Sequence, residues 1–292
     1  MLKINTIKKR YLLYEKYIED ISSYFYKKGN FIMRLENKIA LITGSSSGIG
    51  KEIAIGFAKE GADIIVNYNH REKEANEVAS VIKNLGRNVI VIKANVSNKN
   101  EVEHMIENSW DHFGQIDILV NNAGITTECS LLSLSEEKWD KIMGVNLKGT
   151  FLCNSSVAKR MVKNGVKGHI INISSVNSIE VEINRGVYNA SKGGIDLLTK
   201  SFAAELGRYG IHVNGIAFGC IGGTNIAGKF FDNSVIIEKI LDKNPLGYIG
   251  NTKECVGPAI FLATEDSSYM QGEIMVVDGG LTVLKYGDEL KN

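Results

Sequence analysis

From residue 38 onward, short apolar runs alternate with longer amphipathic segments along the chain. A run such as residues 38–43 (KIALIT) is apolar at nearly every position, which is typical of a strand that is buried on both faces. Strands of this kind that are separated by helices pair in parallel, because each crossover must pass over one face of the sheet. The pattern therefore predicts an α/β fold, a single doubly wound domain with a parallel sheet of about seven strands.

The predicted strands and helices follow one another in a regular order. The strands are residues 38–43, 63–67, 88–93, 117–121, 169–174, 211–216 and 273–277. The helices are residues 49–60, 72–85, 99–113, 135–164, 188–208 and 252–263. No internal repeat or low-complexity linker interrupts this order, so we expect residues 34–292 to form one domain.

Residues 1–33 differ in composition from the rest of the chain. They contain seven Lys/Arg and three Asp/Glu, a net charge of +4, whereas the remaining residues carry −3. We interpret them as a basic extension that is either loosely attached or lies upstream of the true start, with Met33 as the alternative first residue. The whole-chain charge of +1 provides no field that would attract nucleic acid or an anionic membrane, so we expect neither as a partner of the domain.

The four cysteines are widely spaced and include no CxxC pair, and no histidine stands at zinc-finger spacing. They are Cys129, Cys153, Cys220 and Cys255. This spacing predicts reduced thiols and no metal site, which is typical of a cytoplasmic protein. The chain also contains no run of 18 apolar residues and no recognisable secretory signal, so we expect no membrane span.

The first predicted strand leads directly into a glycine-rich turn, TGSSSGIG at residues 43–50, and a helix follows. Glycine at such a turn lets the backbone approach a pyrophosphate, whose charge is held by N–H groups at the helix N-terminus. The GK[ST] ending of a P-loop is missing, so the turn predicts dinucleotide binding in a Rossmann-type domain. The predicted cofactor contacts in this turn are Gly44, Ser46, Ser47, Gly48, Ile49 and Gly50.

The end of the second strand indicates which dinucleotide is bound. An acidic residue there would accept a hydrogen bond from the ribose 2′-hydroxyl of NAD and repel the 2′-phosphate of NADP. This chain has no acidic residue from Val66 to Arg71 (VNYNHR). Arg71, with His70 or Asn69, would pair with a 2′-phosphate. The alternative is that Arg71 is a solvated residue at the start of a charged helix. We therefore favour NADP over NAD, with use of both left open.

Five features, in this order, resemble the short-chain dehydrogenase/reductase family across residues 34–292. They are TGSSSGIG at 43–50, NNAG at 121–124, Asn146, the Ser174–Ser175 pair that ends the fifth strand, and Tyr188-x-x-x-Lys192. The resemblance implies an NAD(P)-dependent oxidoreductase that acts on an alcohol or carbonyl group of a small molecule. It also implies a homo-oligomer, by default a homotetramer built on the long helices after the fourth and fifth strands.

The chemistry of carbonyl reduction explains these residue types. A nicotinamide delivers hydride to one side of the carbonyl, and a proton donor must serve its oxygen. Tyr188 and Lys192 are four residues apart on one helix face, where an ammonium group would lower the pKa of the tyrosine. By resemblance, Tyr188 is the acid/base, and Lys192 tunes it and binds the nicotinamide ribose. Ser175 is implied to hydrogen-bond the substrate oxygen, and Asn146 to support a proton-relay water through its helix backbone.

The resemblance also assigns contacts along the rest of the cofactor. They are Asn95 and Val96 for the adenine, Asn122, Ala123 and Gly124 for the adenosine ribose and the approach to the nicotinamide, and Ile221 for the carboxamide. The loop that carries Ile221 departs from the family pattern, because Phe218 stands where relatives usually have proline. We therefore expect the cofactor geometry to differ most from that of relatives in this loop.

The choice of substrate rests on the variable segments, and among them the loop at 222–234, with Phe230 and Phe231, is predicted to form a lid over the substrate. Residues 66–78, 247–250 and 267–272 look most like glucose 1-dehydrogenases, although Asn177 replaces a histidine typical of those enzymes. NNAGIT at 121–126 equally resembles 3-oxoacyl-[acyl-carrier-protein] reductases, and INRGVY at 183–188 resembles hydroxysteroid dehydrogenases. We expect a glucose 1-dehydrogenase-like oxidoreductase, with these two activities as alternatives. A non-catalytic cofactor-binding protein is disfavoured, because Tyr188, Lys192 and Ser175 are all present.

Overall fold

Seven parallel strands form the central sheet of the protein, in a computed structural model that describes residues 33–224 and 234–283. The strands of the sheet are β1 (Ile39–Ile42), β2 (Asp63–Tyr68), β3 (Val89–Lys93), β4 (Ile118–Asn121), β5 (His169–Ser175), β6 (His212–Phe218) and β9 (Ile274–Val277). Two further strands, β7 (Ile221–Gly222) and β8 (Gly250–Asn251), pair only with each other. The predicted doubly wound sheet of seven strands is confirmed.

Helices connect the strands and cover both faces of the sheet. They are α1 (Gly48–Lys59), α2 (Glu72–Asn84), α3 (Lys99–Phe113), α4 (Glu136–Met143), α5 (Gly149–Asn164), α6 (Gly186–Leu206), α7 (Ser234–Lys243) and α8 (Val256–Leu262). All these elements belong to the unit that begins at Leu35. Among the helices of the described residues, none combines the length and the apolarity that a membrane crossing requires.

The core lies in two layers, one on each face of the sheet. Along β1, Ala40 and Ile42 pack in one layer, whereas Ile39 and Leu41 pack in the other, as the two-residue period of a strand requires. The first layer contains buried residues of α1, α2 and α8, and the second contains those of α3, α5 and α6. Burial on both faces explains why the strands are apolar at consecutive positions.

The strand order β3-β2-β1-β4-β5-β6-β9 changes direction at β1, which pairs with β2 on one side and β4 on the other. At such a switch point, the loops that follow the two central strands lead to opposite faces and leave an opening at the carboxyl edge of the sheet. The glycine-rich turn follows β1 and NNAG follows β4. The topology therefore brings the two predicted cofactor motifs together.

The predicted helix over 135–164 is two helices, α4 and α5, joined by a π-helical turn at Gly144–Lys148. A π turn accommodates one extra residue in the helical ladder and is frequent at functional sites. The turn contains Asn146. Two predictions lie outside the described residues, namely the basic extension up to residue 32 and most of the variable loop at 222–234, including Phe230 and Phe231.

A stacked pair of histidines lies at the amino edge of the sheet, where His169 of β5 is in register with His212 of β6. Their ring centroids are 5.2 Å apart and the rings are nearly parallel, at 18°. Burial, together with the charges of His212 and Lys38, lowers the pKa of His169 to about 4, against a backbone hydrogen bond at Leu262 that raises it. His169 is therefore neutral in the folded protein at neutral pH.

This pair predicts a loss of stability in mild acid. An unfolded histidine titrates near pH 6.5, whereas His169 in the folded protein is protonated only near pH 4. Between these pH values the unfolded chain binds a proton that the folded chain does not bind. The free energy of unfolding should fall across this window by at most about 1.4 kcal/mol per pH unit. We expect His169→Gln to reduce the drop in Tm between pH 7 and pH 5, whereas the exposed control His104→Gln should leave the drop unchanged. An equal drop in wild type and His169→Gln would contradict this assignment.

Candidate active site

A cleft of about 1060 Å³ opens at the carboxyl edge of the sheet. Most of the predicted site residues line it, and they come from the loops after β1 to β6 and from α6. These are Gly44, Ser46, Ser47, Gly48, Ile49, Arg71, Asn95, Val96, Asn122, Ala123, Gly124, Ser175, Tyr188, Lys192 and Ile221. Gly50 and Asn146 do not line the cleft. No group of three His, Cys, Asp or Glu residues suited to a metal ion occurs within 33–224 and 234–283.

The glycine-rich turn has the geometry that a phosphate-binding loop needs. Gly44 and Gly48 have φ angles of 63° and 59°, which side-chain-bearing residues rarely adopt. A Cβ atom on Gly44 would lie 2.9 Å from the Cα atom of Ala123, so this position also requires glycine for space. The turn ends at the N-terminus of α1, where the first backbone N–H groups of the helix face outward.

Thr43 and Asn122 join the glycine-rich turn to the loop after β4. The Thr43 hydroxyl oxygen accepts hydrogen bonds from the backbone N–H groups of Asn122 (3.0 Å) and Ala123 (3.1 Å). The Asn122 carboxamide donates to the Thr43 carbonyl oxygen at 2.9 Å. A Cβ atom on Gly50 would lie only 2.3 Å from Nδ2 of Asn122. Gly50 therefore makes room for Asn122, which explains why it does not line the cleft.

Asn67, near the end of β2, is a further residue of the site that the sequence analysis did not assign. Its side chain is buried, its Oδ1 accepts from the Gly44 N–H at 3.1 Å, and its Nδ2 donates to the carbonyl oxygens of Ala94 (3.1 Å) and Ile92 (3.3 Å). Asn67 thereby fixes the glycine-rich turn to the end of β3. The signal in the sequence is a polar residue at the end of an otherwise apolar strand.

The other end of the cleft carries the residues predicted to face adenosine. Arg71 is exposed and immediately precedes α2. Asn95 uses its side-chain oxygen to accept from both the N–H (3.1 Å) and the hydroxyl (2.8 Å) of Ser97, which orients the turn after β3. Val96 is buried beside it. The structure thus places a long, exposed cationic side chain, that of Arg71, and an apolar surface at Val96 at this end of the cleft.

Ser175, Tyr188 and Lys192 meet where β5 ends and α6 begins. All three are buried, and the Ser175 side chain lies close enough to Tyr188 to lower the pKa of its hydroxyl. The Lys192 Nζ atom lies 5.6 Å from the Tyr188 ring centroid and donates to the Ile173 carbonyl oxygen at 2.7 Å. The neighbouring Ser174 donates to Asp196 instead. Of the two adjacent serines, Ser175 is therefore the one that contacts the tyrosine.

The charges around Tyr188 differ from those that the sequence predicted. Burial raises the pKa of Tyr188 above its ordinary value, the Ser175 side chain and the positive charge of Arg185 lower it, and Glu182 raises it. Burial also lowers the pKa of Lys192 to about 8, against the attraction of Asp196. Lys192 thus loses charge in the slightly alkaline range, and Arg185 is a cation near Tyr188 that the sequence analysis did not consider.

Asn146 lies behind the cleft rather than in its wall. Its side chain is fully buried and is bound to both backbone groups of Ile125, accepting from the N–H at 2.8 Å and donating to the carbonyl oxygen at 2.9 Å. It also donates to the Ser191 hydroxyl at 3.0 Å, and its own carbonyl oxygen accepts from Thr150 at 2.7 Å. Asn146 therefore ties the π turn, the loop after β4 and α6 together.

The switch-point cleft, the glycine-rich turn and the Ser175–Tyr188–Lys192 cluster define a Rossmann-type oxidoreductase. A family model described as enoyl-(acyl carrier protein) reductase matches residues 44–282. The chain is 37% identical over 254 residues to glucose 1-dehydrogenase 2 of Bacillus subtilis (strain 168), covering 85% of this chain and 96% of the relative. It is 38% identical over 250 residues to the 3-oxoacyl-[acyl-carrier-protein] reductase of Synechocystis sp. (strain ATCC 27184 / PCC 6803 / Kazusa), covering 85% and 98%.

Among solved structures, the chain is similar to a gluconate 5-dehydrogenase from Burkholderia cenocepacia J2315 in complex with NADP and tartrate. The TM-score is 0.82 and the identity is 36%, over 87% of this chain and 98% of that one. The chain belongs to the short-chain dehydrogenase/reductase family, and it is an oxidoreductase of that family. The two curated relatives are almost equally similar to it and carry different activities, so similarity alone does not select a substrate.

Proposed function

We propose that the protein is an NADP-dependent dehydrogenase that interconverts a secondary alcohol and a carbonyl group in a small polyhydroxylated, glucose-like substrate. The cluster of Ser175, Tyr188 and Lys192, buried together in the wall of the cleft, is the observation that carries this proposal. When bound, the nicotinamide supplies or accepts the hydride. The residues of this chain then supply the binding, the orientation and the proton.

The walls of the cleft fit a dinucleotide. Gly44 has a left-handed backbone conformation and no side chain, so a pyrophosphate can approach the backbone of the turn directly. The N-terminus of α1 favours the negative charge of the pyrophosphate. Asn95 and Val96 would border the adenine, and Arg71 would pair with a 2′-phosphate. Asn122, Ala123, Gly124 and Ile221 would complete the contacts towards the nicotinamide end.

The proton of the reaction is proposed to pass through Tyr188. In reduction, the Tyr188 hydroxyl donates its proton to the substrate oxygen, and in oxidation the phenolate removes the proton from the alcohol. The Ser175 hydroxyl holds the substrate oxygen by a hydrogen bond, and the Lys192 ammonium would bind the nicotinamide ribose. Asn146 would supply its backbone carbonyl, at the π turn, to a proton-relay water.

The cofactor preference yields a prediction about Arg71. We expect Arg71→Ser to raise the KM for NADPH by about 10- to 100-fold, because a charge-assisted hydrogen bond contributes about 1.5–3 kcal/mol. The KM for NADH should change little. The matched control is Lys73→Ser, which removes an exposed cation of α2 that does not line the cleft. Steady-state kinetics with both cofactors make the comparison, and an unchanged KM for NADPH in Arg71→Ser would refute the pairing.

The substrate class is tested with a panel of sugars, hydroxysteroids and 3-oxoacyl thioesters, each assayed with NAD(H) and NADP(H). Two polar side chains of the cleft wall, Glu182 and Arg185, favour a polyhydroxylated substrate, since the carboxylate offers acceptors and the guanidinium offers donors to hydroxyl groups. The second candidate is 3-oxoacyl-thioester reduction, favoured by the Synechocystis relative. Turnover confined to thioesters or steroids would overturn the sugar assignment and leave the reaction class intact.

We also propose a homo-oligomer, by default a homotetramer, built on α5 and α6. Phe151 of α5 and Leu197 of α6 are 47% and 68% exposed, and they border an apolar groove that also contains Leu147 and Leu198. Large apolar side chains exposed together on neighbouring helices are typical of a subunit contact.

We also propose a cytoplasmic location for the protein. The free cysteines among the described residues support it, because thiols stay reduced in the cytoplasm.

A further inference from the structure

Asn177, two residues after Ser175, makes two hydrogen bonds with the Ser175 hydroxyl group. The backbone N–H of Asn177 donates to the Ser175 Oγ atom at 3.2 Å, and the Ser175 hydroxyl donates to the Asn177 Oδ1 atom at 3.2 Å. One residue therefore contacts both the acceptor side and the donor side of the hydroxyl that faces the substrate.

The orientation of the Asn177 carboxamide is set by its other end. Its Nδ2 atom donates to Oε2 of Glu182 at 3.1 Å and to Oδ1 of Asn189 at 3.0 Å, so both amide hydrogens are used. The Nδ2 atom of Asn189 in turn donates to the Glu182 backbone carbonyl oxygen at 3.0 Å. A flipped Asn177 carboxamide would place its oxygen against a carboxylate oxygen. The network thus requires the Asn177 oxygen to face Ser175.

We propose that Asn177 is a positioning residue that directs the hydroxyl hydrogen of Ser175 during the reaction. A serine hydroxyl has one hydrogen, which cannot serve Asn177 and a substrate oxygen at the same time. Asn177 Oδ1 holds the hydrogen before substrate binds, while the Asn177 N–H keeps the Ser175 oxygen in place when the hydrogen turns to the substrate. The 3.2 Å separation exceeds the usual length of about 2.7–2.8 Å for such a bond, so release is easy.

The same network connects Ser175 to a charged pair in the wall of the cleft. Oε1 of Glu182 lies 2.9 Å from Nε of Arg185, while Oε2 of the same carboxylate holds Asn177. Arg185 and Glu182 both line the cleft, and Arg185 is buried. The Glu182 carboxylate is therefore shared between the orienting residue and the cation, which keeps Asn177 in a single orientation.

The inference rests on the proposed function, and a double-mutant cycle tests it on the best substrate of the panel. We expect Asn177→Ala to lower kcat by about 10-fold with less than about a 2-fold change in KM, the loss that one well-placed hydrogen bond accounts for. In a Ser175→Ala background the same substitution should lower kcat by less than about 2-fold, because Asn177 acts through the missing hydroxyl. Equal losses in both backgrounds would overturn the proposal.

A matched control separates positioning from loosening of the turn. Ser178 belongs to the same turn and donates to the backbone carbonyl oxygen of Ser175 at 2.8 Å, without contacting the Ser175 hydroxyl. We expect Ser178→Ala to retain at least half of the wild-type kcat. A loss as large as that of Asn177→Ala would show that the turn, rather than the hydroxyl, is responsible and would overturn the proposal.

A pH profile provides a readout that a purely structural role would not change. In Asn177→Asp, an ionised carboxylate would accept the Ser175 hydrogen more strongly and would face Glu182. Its kcat relative to wild type should therefore fall as pH rises through the pKa of the new carboxyl group. A ratio that is constant with pH would count against the role of Oδ1. A wild-type protein that is inactive across the panel would overturn the proposed function itself, whereas active wild type with additive losses would overturn this inference alone.

Discussion

Replacement of Tyr188 by Phe is expected to lower kcat by about 10²–10⁴-fold, the usual contribution of a positioned proton donor. The substitution removes the hydroxyl and keeps the buried ring, so the packing at the start of α6 is preserved. The cofactor contacts of the glycine-rich turn are unaffected. Steady-state kinetics should therefore show the loss in kcat, while a fluorescence titration shows that NADPH binds with nearly unchanged Kd.

The control for this variant is Tyr209→Phe. Tyr209 is 41% exposed and its hydroxyl accepts a hydrogen bond from Arg208 at 2.8 Å, outside the cleft. This variant also removes a hydrogen-bonded tyrosine hydroxyl, but one that lies away from the cleft and takes no part in the proposed proton transfer. Its kcat should therefore remain within about 2-fold of wild type. Near-wild-type turnover by Tyr188→Phe would reject Tyr188 as the acid/base. Loss of NADPH binding together with kcat would instead indicate a structural defect.

The surroundings of Tyr188 fit the proposed role of one hydroxyl in both directions of the reaction. Burial raises the pKa of Tyr188 and favours the protonated form, which is the form that donates to a carbonyl oxygen. The nearby Ser175 side chain and the Arg185 charge oppose this and favour the phenolate that oxidation would require. Because the pKa of Lys192 is near 8, its charge, and with it its stabilisation of a phenolate, weakens as pH rises past 8. In the proposed mechanism, the proton chemistry thus depends on Arg185 as well as on Lys192.

The fold was predictable because each layer leaves its own pattern in the sequence. Consecutive apolar residues in β1, β2, β4, β5 and β6 reflect burial on both faces, and the seven predicted strands were found within two residues of their predicted ends. The π turn at Gly144–Lys148 was not predictable, because one extra residue in a helical ladder hardly changes the amphipathic period. The helix α7 is also absent from the prediction, which has a variable loop at 222–234 and no helix between that loop and residue 252.

The site was predictable where function requires a particular residue type in the cleft. Gly44, Ser175, Tyr188 and Lys192 were assigned by motif, and the structure brings them to one cleft. Asn67 and Asn177 were not assigned, because their importance lies in hydrogen bonds to atoms that are distant in sequence or in the orientation of a carboxamide. Such contacts carry no periodicity and no motif. They become visible only when the chain is folded.

Asn67→Leu is expected to lower both the stability of the protein and its affinity for NADPH. The substitution keeps most of the side-chain volume but leaves the Gly44 N–H and the Ala94 carbonyl oxygen without their bonds to the side chain. Each buried polar group left in this way costs about 1–3 kcal/mol, so the loss of two should lower the free energy of unfolding by about 2–6 kcal/mol. Because Gly44 lies in the glycine-rich turn, the Kd for NADPH should rise by at least about 10-fold, which corresponds to about 1.4 kcal/mol. Urea denaturation and a fluorescence titration measure the two effects.

Asn76→Leu is the matched control, since Asn76 makes the same kind of hydrogen bond on an exposed face of α2. Its Nδ2 atom donates to the Glu72 carbonyl oxygen at 3.0 Å, where water can replace it. We expect its stability to change by at most about 0.5 kcal/mol and its NADPH affinity to equal that of wild type. If Asn67→Leu were as stable as Asn76→Leu, the buried hydrogen bonds of Asn67 would not support the fold. If it were destabilised but bound NADPH as wild type does, Asn67 would support the sheet without shaping the cofactor site.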